Sequence, residues 1–398
     1  MRVRWKKLVL GLGISATTIL VLFFLGEYWV RNYVLVTWAT GNCSQTDEIL
    51  KFKGVPGSIC ESKTPEWHVV NKHNSLGLRS PEIKIEKSQD TFRILFLGDS
   101  FVQGYGVEEE ESFPRLLEKE LNTKFGGKPK VEVVNAGVPN YSPLIEYLYL
   151  KNEGLKLSPD LVILEFDLTD FSNDLVYSRE VNYAEREEPL GFMKKDNPEV
   201  KDQEVITKPA STEEMSSSKL LPFLPNDLKR FFHDNSALYR WISSQLKIML
   251  GQPLADAEPD SLENFYTIVK EDTLNDDKLW EQPKKNISLI RSLLADKSIP
   301  FVVSAHPHAV LVDGKEWNNG RLLHGLERGE VYSDRYFSQL ANFLSSQNIP
   351  FISLLDYFRQ TSLRPLYFPF DGHFNTNGHK VAANGIMKEL EKLNLIKQ

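Results

Sequence analysis

Cysteine is scarce in this chain: Cys43 and Cys60 are all that its 398 residues contain. Two thiols close together in a polar stretch exclude a cysteine-rich metal framework. They leave two readings open, one small disulfide loop in an oxidising compartment or a pair of free thiols. An excess of positive charge is also missing. The formal net charge is -7 and the pI about 5.7, which excludes wholesale nucleic-acid binding. No internal repeat is found. What the chain does have is 41% hydrophobic and 11% aromatic residues, enough for a full core and more than one structural unit.

The amino terminus pairs charge with an apolar run. Arg2, Arg4, Lys6 and Lys7 precede an uncharged stretch from Leu8 to Leu25, closed by Glu27, Tyr28, Trp29 and Arg31. That length is near the lower limit for a membrane-spanning helix. The basic flank belongs in the cytoplasm, with Tyr28 and Trp29 at the far interface. A cleaved signal peptide is the competing reading, but the run ends without a small-x-small cleavage site, so a single-pass anchor is preferred. Either way the remaining chain is expected outside the cytoplasm, periplasmic or extracellular, which favours a Cys43–Cys60 bridge.

Residues 32–87 read as a mixed, loop-rich juxtamembrane segment. From Thr91 the rhythm becomes strand, helix, strand. Phe92–Leu97, Val131–Asn135 and Leu161–Phe166 read as strands, and Ser112–Asn122 and Ser142–Glu153 as helices. The pattern breaks over 176–283, a charged and irregular stretch with a Ser/Glu-rich patch at Ser211–Ser218. Helical pieces are expected there at Ala237–Leu250 and Asp260–Lys270. A stretch this long is better read as an insertion that caps the site or is partly disordered than as a loop. The sheet resumes at Ile299–Ala305, followed by helix Ser333–Ser346, strand Pro350–Leu354 and a terminal helix Asn377–Leu395. The expected organisation is an anchor over 1–31, the juxtamembrane segment over 32–87, an α/β core over 88–175 and 284–398, and the insertion. Strands alternating with helices imply a parallel sheet covered on both faces.

The most telling local feature is Gly98-Asp99-Ser100 at the end of the apolar run Ile94-Leu95-Phe96-Leu97. A buried strand that stops there presents a hydroxyl at the carboxyl edge of the sheet, where open α/β folds keep their active sites. A serine hydroxyl needs a base within hydrogen-bond reach. Far downstream, Phe368-Pro369-Phe370-Asp371-Gly372-His373-Phe374-Asn375 offers an imidazole and a carboxylate. Ser100 is therefore the candidate nucleophile, His373 the base and Asp371 its orienting acid. His379, at the start of the last helix, is the rival imidazole and is expected to pack or cap instead.

These blocks resemble the SGNH (GDSL-type) hydrolases, whose nucleophile lies in Gly-Asp-Ser and whose acid and base lie in a terminal Asp-His block. The resemblance covers about half the chain. It implies a three-layer α/β/α sandwich with a flavodoxin-like parallel sheet. Many members separate the terminal Asp and His by two residues; the single-residue spacing of Asp371 and His373 is similar to the polysaccharide O-acetylation (alginate acetylation-like) branch. Asn74-Ser75-Leu76-Gly77-Leu78-Arg79 is similar to a short segment preceding the nucleophile strand in membrane-anchored members. It reads as an ordinary turn and is assigned no chemistry.

The resemblance also implies oxyanion donors. The N–H of Ser100 is one, and Asn135-Ala136-Gly137 fits the family's glycine block, giving the N–H of Gly137. The third block departs from pattern. The family's Gly-x-Asn-Asp register falls on Asp167-Leu168-Thr169-Asp170, so Thr169 stands where asparagine is usual, while an Asn-Asp pair comes late at Asn173-Asp174. Either Asn173 or Thr169 is the third donor, or the site has two.

Elsewhere the residues read more blandly. His306-Pro307-His308 follows a strand and could line the site, but lacks carboxylates at ligand spacing and is weak evidence for metal. Glu108–Glu111 reads as a solvated run opening a helix, Gly104 and Gly106 as a turn, and Trp317 and Tyr367 as core aromatics. No metal or organic cofactor is implied. The expected function is a serine esterase or O-acyltransferase acting through an acyl-enzyme on ester groups, acetyl above all, of a cell-surface glycan. The alternatives are a lipase or thioesterase on membrane lipids and a non-catalytic glycan-binding protein of the same fold.

Overall fold

The computed structural model describes residues 2–33, 38–184, 188–192, 277–323 and 326–396, with scattered positions at 225, 228, 231–232, 236–239, 241–243 and 269. The chain divides into two compact units. One comprises 1–38, 63–67 and 203–259, the other 39–62, 68–202 and 260–398.

In the first unit, helix α1 (Arg2–Tyr33) contains an apolar window, Gly13–Val30, with a mean hydropathy of 1.5. Leu20, Leu22, Phe24 and Leu25 on it are exposed, and the window is long and apolar enough to cross a membrane. Near its end the Glu27 carboxylate accepts hydrogen bonds from the N–H groups of Ala237 and Leu238 and from the Ser236 hydroxyl.

The second unit is built on a five-stranded sheet. Its strands are β1 (Thr91–Gly98), β2 (Lys130–Gly137), β3 (Leu161–Phe166), β4 (Phe301–Ala305) and β5 (Phe351–Ser353). They lie in the order β2-β1-β3-β4-β5, and every pair is parallel. This is the flavodoxin-like order. Ile94 through Leu97 and all of β3 are buried, as expected for strands covered on both faces. Helix α2 (Ser100–Gln103) follows β1 directly, and α3 (Phe113–Phe125) packs with the terminal helix. Helices α4 (Pro143–Asn152), α5 (Thr169–Glu180) and α6 (Asp277–Ala295) pack with one another on the opposite face. Helix α7 (Arg335–Ser346) precedes β5, and α8 (Thr376–Lys392) ends the fold. The architecture is the expected α/β sandwich with helices on both sides.

The helix ends follow local chemistry. Pro114 sits in the first turn of α3, and Gly126 closes it in the left-handed conformation. Asn375 caps α8 by accepting from the N–H groups of Asn377 and Gly378. The expected edges of the insertion, at 176 and 283, fall inside α5 and α6. Between those helices Asn182–Tyr183 and Pro189–Gly191 pair as a short antiparallel ribbon. Ser211–Ser218 lies outside the described residues, as does Asp260–Lys270 apart from Val269; the described residues of Ala237–Leu250 are helical.

Ahead of the sheet, Ser44–Asp47 pairs with Lys51–Gly54, and Ile59–Lys63 lies between Trp38–Thr40 and His68–Lys72. Cys43 and Cys60 are joined by a disulfide, which resolves the two readings of the thiols.

Candidate active site

The strand order reverses between β1 and β3, and the crevice at the carboxyl ends beside such a reversal is where open α/β sheets bind ligands. Ser100 stands there, on the first residue after the β1 turn. Asp99 caps α2 by accepting from the Phe101 N–H at 2.8 Å, which fixes the serine at the helix start. As the first residue of a helix, Ser100 has an N–H with no carbonyl a turn earlier to bond.

The segment before α8 brings the distant residues in. Ser100 Oγ lies 2.8 Å from His373 Nε2, and His373 Nδ1 lies 2.6 Å from Asp371 Oδ1. With the Nδ1 proton held by Asp371, Nε2 is left to accept from the hydroxyl. The single-residue spacing works because Gly372 adopts a φ of 92°. The chain then turns tightly enough for Asp371 Oδ1 to accept the His373 backbone N–H as well, at 3.1 Å. A Cβ at Gly372 would also sit 2.8 Å from the Trp317 ring nitrogen. The His373 and Asp371 side chains are 24% and 17% exposed, so the pair is reachable from solvent.

Burial pushes the His373 imidazole down, but the Asp371 carboxylate, then Asp99 and Asp167, outweigh it and hold the pKa above the ordinary value. Burial works to raise Asp371, yet the imidazole and its hydrogen bonds hold it below the usual carboxylate range. Asp99 is pushed up to about 7 by burial and by the neighbouring Asp167 charge.

The sequence-expected oxyanion donors are placed less simply. The Gly137 N–H donates to Asn135 Oδ1 at 3.0 Å, and the Asn135 amide in turn donates to the Val102 carbonyl at 2.8 Å. Thr169 opens α5 with its hydroxyl given to Asp167 Oδ1 at 2.6 Å. Asn173 is half-buried a turn further along α5; among the described residues it hydrogen-bonds none of Ser100, Asp371 and His373. His379 is 1% exposed, and its Nδ1 accepts from the Phe113 N–H at 3.2 Å, so it packs rather than competes.

Three residues at the site have no role assigned from sequence: Arg79, Tyr105 and His306. Arg79, 1% exposed, donates to the carbonyls of Gln103, Gly104 and Val107 at 3.1, 2.5 and 2.6 Å, clamping the segment just beyond the serine. Tyr105, inside that segment, places its ring 4.7 Å from the His373 ring. Behind Phe101, His306 is buried, with Nδ1 3.0 Å from Glu165 Oε1 and Nε2 3.8 Å from Asp167 Oδ2. Burial works against its charge, but Glu165 holds the His306 pKa up. Glu165 was the available signal, a lone acid within an otherwise apolar strand. Among the described residues no group of three or more histidine, cysteine or acidic side chains is arranged to hold a metal ion.

No family model and no curated protein matches this chain. Among solved structures it is similar to an acetyl xylan esterase, AlAXEase, with 15% identity over 75% of this chain and 98% of that one, at a TM-score of 0.38. It is similar to a putative lipolytic protein of the G-D-S-L family from Desulfitobacterium hafniense, with 11% identity over 75% and 99%, at a TM-score of 0.36. A two-domain esterase active on acetylated mannans gives 16% identity over 77% of this chain and 50% of that one, at a TM-score of 0.34. With identities and TM-scores this low, the fold rests on the chain's own strand order and the site on its own geometry.

Proposed function

We propose that this chain is a serine ester hydrolase or O-acyltransferase of the SGNH type, working through an acyl-enzyme. The observation that carries the reading is the hydrogen-bonded relay from Ser100 through His373 to Asp371, at 2.8 and 2.6 Å, beside the reversal of strand order. Ser100 Oγ attacks the ester carbonyl while His373 Nε2 takes its proton; the C–O bond to the leaving alcohol breaks as His373 returns that proton to it. Water, or an acceptor hydroxyl, then repeats the sequence on the acyl-serine and frees Ser100. Asp371 holds the imidazole and stabilises the imidazolium formed in each half.

The N–H groups of Ser100 and Gly137 are the proposed oxyanion donors, the latter exchanging its bond to Asn135 Oδ1 for one to the substrate. Asn173 is the preferred third donor, because the Thr169 hydroxyl already donates to Asp167. The substrate reading, acetyl esters of a cell-surface glycan, rests on the single-residue Asp-His spacing. The apolar window of α1 supports a membrane anchor, and the Cys43–Cys60 disulfide supports placement of the rest outside the cytoplasm.

The test is labelling by a serine-reactive fluorophosphonate together with hydrolysis of p-nitrophenyl esters. Wild type should label and Ser100→Ala should not; absence of labelling in both would favour the non-catalytic alternative. Preference for acetyl over long acyl chains would support the acetyl reading, and the reverse preference a lipase or thioesterase.

A further inference from the structure

The His373 ring lies in an aromatic slot. Phe101 is on one side, with ring centroids 4.8 Å apart and planes tilted by 38°; Tyr105 is the other neighbour, at 4.7 Å and 42°. Both walls belong to the segment that carries Ser100, so nucleophile and slot are built from one stretch of chain. Arg79 binds carbonyls on either side of Tyr105, those of Gly104 and Val107, and Gly104 turns there with a φ of 84°.

Burial raises the Tyr105 phenol to about 12, and the neighbouring Ser62 side chain pulls the other way. Ser62 lies on Ile59–Lys63, whose alternating exposure turns Ser62 inward along with the half-buried Cys60. Cys60 is bridged to Cys43. A continuous path thus runs from the disulfide, through two residues of one strand, to the ring beside the base.

We propose that Tyr105 is a positioning residue for His373, and that the strand Ile59–Lys63, pinned at Cys60 by the disulfide, holds it there through Ser62. The inference rests on the esterase reading for its functional meaning. An aromatic face beside an imidazole favours the imidazolium over the neutral ring, and imidazolium is what His373 becomes at each tetrahedral intermediate. Ser62 fixes the angle of that face. The other titratable groups acting on His373 are Asp371 on its own segment, Asp99 between β1 and α2, and Asp167 after β3. His306 and His379 are the neighbouring imidazoles, and neither lies against the ring as Tyr105 does.

The test uses the full chain in detergent with isotope-labelled histidine, titrating His373 by NMR and measuring p-nitrophenyl acetate hydrolysis against pH. Tyr105→Leu keeps bulk and removes the aromatic face. It should lower the His373 midpoint and the acid limb of kcat/KM by roughly one pH unit, and kcat by about 5- to 30-fold, with KM little changed. Tyr105→Phe should keep the midpoint and lose kcat only a few-fold. Ser62→Ala, a small change that spares the ring, should match Tyr105→Phe, and the double variant should lose no more than either alone. An unshifted midpoint in Tyr105→Leu, or losses that add in the double variant, would overturn the proposal. If wild type neither labels nor hydrolyses esters the esterase reading falls, while the His373 titration still decides whether Tyr105 acts on the ring.

Discussion

Two acid–imidazole pairs meet at the carboxyl edge of this sheet, Asp371 with His373 and Glu165 with His306. In each the carboxylate takes Nδ1, at 2.6 and 3.0 Å, and the Phe101 ring lies between the two imidazoles. Their chemistry is the same and their surroundings are not. His373 is 24% exposed and turns Nε2 to a serine hydroxyl; His306 is 1% exposed, and among the described residues its Nε2 makes no hydrogen bond. The difference teaches that an acid-oriented imidazole becomes a base for substrate only where its second nitrogen meets a reachable nucleophile. Buried, the same pair is a structural element with a desolvation cost.

Three experiments press on that contrast, beyond the Ser100 and Tyr105 variants. The largest effect is expected from Asp371→Asn, which should leave the fold intact and lower kcat by about four orders of magnitude, because the amide favours the wrong tautomer of His373. A loss of less than tenfold would remove Asp371 from the relay. His306→Asn should do the opposite. It leaves Glu165 buried without its partner and should cost about 3–5 kcal/mol of stability, read from thermal unfolding, while fluorophosphonate labelling at a temperature where the variant is folded stays far closer to wild type than in Asp371→Asn. Equal losses of labelling in the two variants would erase the distinction between the pairs.

The smallest effect concerns Glu146, which belongs to the same buried acidic neighbourhood. It is 1% exposed, neither carboxyl oxygen has a partner among the described residues, and burial holds its pKa well above 4.5. The folded state keeps this proton while the unfolded chain loses it as pH rises past 4.5. Stability therefore falls with rising pH, by up to about 1.4 kcal/mol per unit, until the folded carboxyl ionises. Asp99, pushed up to about 7, and Asp174, pushed up to about 6 by burial, contribute in the same direction from about pH 4 to those values. Glu146→Gln removes one such group, so its melting temperature relative to wild type should climb from pH 5 to pH 8. A constant difference across that range would show that Glu146 does not hold a proton in the fold.

Much of the frame is legible in the sequence because its signals are local. The apolar run before Gly98, the alternating strands and helices and the Asp-Gly-His spacing each depend on neighbours a few residues away. In sequence Arg79 belongs to a turn and nothing more, because its three carbonyl partners lie 24 to 28 residues further on. In sequence Thr169 stands beside Asn173 as a donor candidate, because only the folded loop shows its hydroxyl given to Asp167. The thiols could not be paired with certainty from composition, which carries no distance.

By itself, then, the sequence determined the parallel α/β class and the apolar amino-terminal helix, and it offered Ser100 as candidate nucleophile with Asp371 and His373 as candidate partners. Strand burial and helix periodicity are written in short windows. Only the tertiary structure decided which imidazole reaches the serine, what encloses its ring, and which carboxylates are left buried. Those outcomes depend on hydrogen bonds and ring contacts between residues as far apart as Ser100 and His373, whose separation along the chain says nothing of their distance in space.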